Sequence, residues 1–198
     1  MINTIEFEKL LTPVTNRAVE YAELLSRSFR REWEIAEASI DALTDVLDGD
    51  REIARYLKLA FALTSRTLTD SFKFGVRHTT DEIGKYLCGI FMTLSVETVY
   101  ALFLDSDDAV ISCNYMGEGT VNSSNIYPRR ILERAIKCGA KKIIIAHNHP
   151  GGFAKPSAED STSMKMISDL FRSSGNELVG YYVVGNGEYT YSEIEYGG

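Results

Sequence analysis

His147 and His149 stand two residues apart, and after seven intervening residues come Ser157 and, three further on, Asp160. Two imidazoles and a carboxylate are the donor set of a zinc ion that keeps its fourth position for water, the arrangement of a catalytic rather than a structural site. The preceding Lys142–Ala146 run is β-branched and apolar like a buried strand, so residues 147 and 149 point to the same side at its end. Ser157 as N-cap puts Asp160 at the third position of a following helix, close to the loop that the histidines flank. The same Ser-x-x-Asp spacing is a good helix start without any metal. Two of the chain's three histidines nevertheless fall in this one motif. Gly151 and Gly152 serve as turn residues and also let backbone approach a bound substrate closely.

A zinc-held water needs a base during attack on a carbonyl, and a glutamate is the usual choice. Glu97, at the start of the apolar run Thr98–Leu104, is the candidate; an exposed strand-start residue is its plain alternative. Glu118 in a polar loop and Glu133 between basic residues of a helix compete with it, each with a solvated explanation.

The elements that position these residues follow from periodicity. From about Pro13 to Arg66 the spacing predicts three short helices, marked by Val19, Leu24, Leu25 and Phe29, by Ile40, Leu43 and Leu47, and by Ile53, Leu57, Ala60 and Phe61. Asp48-Gly49-Asp50 separates the last two, and residues 67–80 lack a clear period, so the boundary is placed there. Thr80-Asp81-Glu82 begins a helix with Ile83, Leu87 and Ile90 on its apolar face. Strands over 98–104 and 109–115 form a hairpin, 117–122 is a loop, and Ser123 or Ser124 caps a helix through Lys137. A strand over 142–146, a helix over 157–173 and strands over 178–184 and 189–192 complete an α/β arrangement with helices covering a mixed sheet.

Composition narrows the setting. The 198 residues are 44% apolar, which supports a domain of about 120 residues plus a smaller one. A net charge of −7 argues against coating nucleic acid or anionic membrane through the overall field. Cys88, Cys113 and Cys138 are odd in number and outside any CxxC spacing, so they read as thiols of a reducing compartment. With no leader or spanning apolar run in view, the expectation is a cytoplasmic protein with no membrane partner. His78 reads as a surface residue, and Trp33 as core or interdomain packing rather than a stacking platform for bases. The tyrosines at 181, 182, 189, 191 and 196 fit amphipathic strands, with some rings expected to flank the cleft.

His147-Asn148-His149-Pro150 with Pro156-Ser157 and Asp160 resembles the JAMM metal motif of the JAB/MPN superfamily, and specifically the RadC family of bacterial proteins. Glu97 with its strand, Gly119-Thr120, Pro128-Arg129, Ala146, Val184-Gly185 and Ser192 fall in that family's order over roughly residues 80–192. The resemblance implies a cytidine deaminase-like mixed sheet, zinc held by His147, His149 and Asp160, Glu97 as acid/base, and Ser157 as an oxyanion donor. It divides the chain into a small all-α region over 1–79, similar to a degenerate helix-hairpin-helix, and a metal-binding domain over 80–198. Relatives often carry Ser at 151, Glu at 130 and an Asp-His pair at 180–181, where this chain has Gly151, Arg130 and Gly180-Tyr181. Where a glycine-bracketed hairpin is expected, Val46–Asp50 brings two carboxylates that repel a phosphate.

Three functions compete. A zinc metallohydrolase cleaving a peptide or isopeptide bond of a peptide or protein substrate comes first. A DNA-associated protein, even a metal-dependent nuclease, draws on the family's link with DNA repair and on Arg130, Arg134, Lys137 and Lys141, whose commoner reading is a solvated face. A binding module with a vestigial metal site is the third. Oligomeric state is open at this level.

Overall fold

The computed structural model describes residues 2–119 and 127–194, with only the backbone of Tyr127. The cap expected at Ser123 or Ser124, Thr120 and Tyr196 lie outside the described residues.

The amino-terminal region contains α1 (Thr4–Leu11), α2 (Ala18–Ser28), α3 (Glu32–Glu37), α4 (Ile40–Val46) and α5 (Arg51–Asp70). The three expected helices thus become four over that span, with α1 before them. A long apolar period hides the break at Phe29–Arg31, where the chain turns extended. On α2 the buried face is Ala18, Tyr21, Ala22 and Leu25, so Val19 is solvent-exposed rather than packed. Leu25, Leu43, Leu47, Ile53 and Leu57 meet in one core as their spacing predicted. The Asp48-Gly49 turn takes positive φ at both residues, and its carboxylates are engaged internally: Asp48 pairs with Arg17, while Asp50 caps α5 and accepts the Tyr21 hydroxyl.

Helix α5 runs past the expected end at Arg66. Thr67 and Thr69 return their hydroxyls to the carbonyls of Leu63 and Ser65 one turn back, which accommodates polar residues inside a helix. Its last turns lie against α6 (Thr80–Phe91) at Gly89, where a Cβ would come within 2.8 Å of Leu68. Thr79, one residue before the expected start, caps α6 in a reciprocal capping box with Glu82. His78 is not a free surface residue: its ring stacks on Phe72 at 3.9 Å and its Nε2 bonds the Lys73 carbonyl. Residues 75–77 pair with the start of the second strand, so this stretch is stitched to the sheet.

The sheet contains β1 (Thr98–Leu104), β2 (Val110–Glu118), β3 (Lys142–Asn148), β4 (Glu177–Gly185) and β5 (Glu188–Glu193), in the order β2-β1-β3-β4-β5. Among the described strands only the β3–β4 pair is parallel, joined across a helical connection as parallel strands require. On one face Val99, Ala101, Phe103, Ile143, Ile145 and Val183 pack under α7 (Tyr127–Cys138) and α8 (Ala158–Ser173). On the other face Leu102, Leu104, Ile144, Ala146 and Tyr182 pack against α6. This is the expected mixed α/β fold preceded by a helical region. Tyr182, Tyr189 and Tyr191 belong to the α6 side, which leaves Tyr181, among the described tyrosines of this group, facing α8. No helix among the described residues is long and apolar enough to cross a membrane.

Candidate metal centre

Alternation along β3 places Ile143, Ile145 and His147 on the α8 face, whereas Asn148 turns to the opposite one. The backbone of His149 continues the ladder, its N–H donating to the Val184 carbonyl at 2.7 Å. The two imidazoles converge, with Nε2 atoms 3.1 Å apart. Two nitrogens on one tetrahedral zinc, each at about 2.0–2.1 Å, would lie about 3.3–3.4 Å apart, so the spacing suits a shared cation.

Helix α8 supplies the carboxylate. Ser157 and Asp160 form the expected capping box: the Ser157 N–H and hydroxyl donate to Asp160 Oδ2 at 2.8 and 2.6 Å, and the Asp160 N–H donates to Ser157 Oγ at 3.0 Å. Asp160 Oδ1 lies 3.3 Å from His147 Nε2, and Oδ2 lies 3.6 Å from His149 Nε2. Burial works against its charge, but the hydrogen bonds from His147 and Ser157 overcome this and hold the carboxyl well below the usual carboxylate range. The Ser157 hydroxyl proton is therefore directed at Asp160 rather than at open space.

Glu97 comes from the start of β1. One ligand atom each from Glu97, His147 and His149 can be drawn from within 4.8 Å of one another, making Glu97 as much a member of the cluster as Asp160. Burial pushes its carboxyl up, while the nearby histidines pull it down less strongly. Glu133, by contrast, pairs with Arg129 on α7, and Glu118 lies exposed at the end of β2.

What sequence reading passed over is Asn148. It is 3% exposed, accepts the Thr98 N–H at 2.7 Å and donates to the Val96 carbonyl at 3.1 Å. It thereby brackets Glu97 from both sides. Period-two alternation already put its side chain on the face away from the histidines, which was the available signal.

One of the two imidazoles has its tautomer set by a neighbour. His149 Nδ1 lies 3.1 Å from the Phe153 carbonyl, which places the proton on Nδ1 and frees the Nε2 lone pair. Among the described residues the buried His147 Nδ1 meets no partner, and its Nε2 faces the Asp160 carboxylate and the second imidazole. A divalent cation fits this set.

Gly180 and Tyr181 stand where the resemblance led us to expect an Asp-His pair. The Tyr181 hydroxyl lies 3.3 Å from Ser161 Oγ beside Asp160, and Gly180 receives the Tyr191 ring, which a Cβ would meet at 2.4 Å. The basic run on α7 is partly engaged: Arg130 donates to the Met116 carbonyl and Arg134 to Asn114 Oδ1, both on β2, an outermost strand of the sheet among the described residues.

Residues 77–197 match the family model described as the RadC-like JAB domain. A UPF0758 protein of Vibrio vulnificus is 35% identical over 138 residues, covering 68% of this chain and 62% of the relative. UPF0758 proteins of Photobacterium profundum and Vibrio cholerae are 34% and 33% identical over 138 and 133 residues, covering 68% and 67% of this chain and 62% and 59% of the relatives. The matched part of the chain thus spans under two thirds of these relatives' length.

Proposed function

The chain belongs to the RadC-like JAB family, and from that premise we propose that it is a zinc-dependent hydrolase cleaving a peptide or isopeptide bond with a metal-activated water. The observation that supports this best is the convergence of two imidazole Nε2 atoms 3.1 Å apart with the carboxylates of Glu97 and Asp160.

His147 and His149 would hold the ion through Nε2, and Asp160 would complete the protein's ligands. Asp160 suits a ligand because it stays ionised and its capping box fixes it in place. Glu97 suits proton transfer because burial raises its pKa, bringing it closer to the pH at which it must both take and return a proton. A zinc ion bound there supplies a lowered pKa for its water and polarisation of the scissile carbonyl. Glu97 would accept the proton of that water and deliver it to the leaving amine. Ser157 orients Asp160 in the resting site; donating to an oxyanion requires its proton to leave Asp160 Oδ2.

The test is cleavage of fluorogenic peptide and isopeptide substrates by zinc-loaded protein, beside Glu97→Gln. Loss of rate by about hundredfold or more with zinc content unchanged is the expected result. Undiminished hydrolysis by the variant would remove Glu97 from the mechanism.

A further inference from the structure

The turn that carries His149 is held from two sides. His149-Pro150-Gly151-Gly152 closes with the Gly152 N–H donating to the His149 carbonyl at 2.9 Å, and Gly151 adopts φ 63°. Pro followed by a positive-φ glycine is the pattern of a type II turn, whose Gly151 N–H faces outward. On one side the β4–β5 hairpin bonds the loop, Asn186 to the Gly152 carbonyl and Thr190 to that of Ala154.

The other side is covered by the helical region. Glu37, the last residue of α3, accepts the Gly151 N–H at 3.0 Å. Arg31, just before α3, lays its guanidinium 4.3 Å from the centroid of the Phe153 ring. Phe153 is also the residue whose carbonyl faces His149 Nδ1. Trp33, between them in sequence, rests on the hairpin turn, where a Cβ at Gly187 would meet its ring at 3.0 Å. The segment is itself anchored: Ile35 and Ala36 are fully buried, and Lys58 donates to the carbonyls of Ala36 and Ala38.

We propose that residues 31–37 form a clamp on the metal-bearing turn, with Arg31 and Glu37 as positioning residues that hold His149 ready to bind the ion. The link is short and continuous: Arg31 fixes the Phe153 ring, the Phe153 carbonyl fixes the His149 tautomer, and Glu37 fixes the intervening turn. The helical region thereby acquires a task within the hydrolase site. This rests on the zinc reading above for its second half only, since clamping of the turn needs no metal. Outer partners of a ligating histidine commonly change metal affinity by about 10–100-fold.

Two readouts on the full chain test it: hydrogen exchange of the 149–154 segment in metal-free protein, and zinc affinity by competition with a chromophoric chelator. The variants are Arg31→Ala/Glu37→Ala, Glu37→Gln, which keeps an acceptor for Gly151, and Phe153→Ala, which removes the ring from a surface position without touching helical packing. Arg27→Ala, which breaks an exposed pair with Glu23, is the control. Expected are faster exchange and about tenfold weaker zinc binding in the double variant, a smaller loss in Phe153→Ala, and wild-type behaviour in Glu37→Gln and the control. Unchanged exchange in both the double variant and Phe153→Ala would overturn the clamp. Faster exchange with unchanged zinc affinity would overturn the positioning of His149. Wild-type protein that binds no zinc would overturn the hydrolase reading and the positioning role together, and exchange alone would then decide the clamp.

Discussion

Asn148 Oδ1 accepts the Thr98 N–H at 2.7 Å, tying the residue between the two histidines to the residue after Glu97. Metal ligands and proposed base are thus registered against one another by a single amide. Thr98 is 2% exposed, so Asn148→Ala leaves a buried donor unpaired. The expected cost is about 2–3 kcal/mol in urea denaturation, with zinc stoichiometry retained because both imidazoles remain.

Removing the metal should be visible in stability. Zinc at a hundredfold excess over its Kd stabilises the native state by about 2.7 kcal/mol, which raises the thermal midpoint by about 5–10 °C for a chain of this size. His149→Ala and Asp160→Asn should abolish the shift in differential scanning fluorimetry. Wild-type protein whose midpoint ignores zinc would count against the site.

Glu37 gives a pH signature. Burial, with Glu34 nearby and Lys58 and the Gly151 N–H opposing, pushes its carboxyl up to about 7. The folded state therefore holds a proton that the unfolded state releases, and stability falls as pH rises from the ordinary carboxylate range to about 7. Glu37→Gln should be more stable than wild type at pH 8, by about 1 kcal/mol after allowance for solvent screening. The gain should vanish near pH 4 in paired denaturation curves.

Gly180→Ala drives a methyl into the Tyr191 ring, 2.4 Å from the Cβ position. A cost of about 1–3 kcal/mol is expected. Tyr191→Ala in the same chain should recover part of it, and a double-mutant cycle with no coupling would show that the two do not share this space.

Arg130→Ala/Arg134→Ala removes the α7 bonds to Met116 and Asn114 of β2, an outermost strand among the described residues. Increased self-association in sedimentation is expected, without a change in retention on a DNA duplex at moderate salt.

The sequence by itself determined the candidate donor set and the local frame that carries it. The His-x-His spacing at a strand end and the Ser157–Asp160 capping box are short-range geometry, fixed by strand and helix periods, and both stand where those periods put them. The alternating strands were equally legible, because each face buries its own apolar set. Helix boundaries between residues 13 and 70 were less so, since threonines that look like breakers return their hydroxyls to the helix and Phe29–Arg31 interrupts an otherwise continuous period. Only the tertiary structure decided what meets across long separations. Glu97 joins the histidines because β1 pairs with β3 and Asn148 reaches across. Glu37 meets Gly151, 114 residues away, because the helical region packs on the turn. Such meetings depend on how whole elements pack, and no local period carries that information.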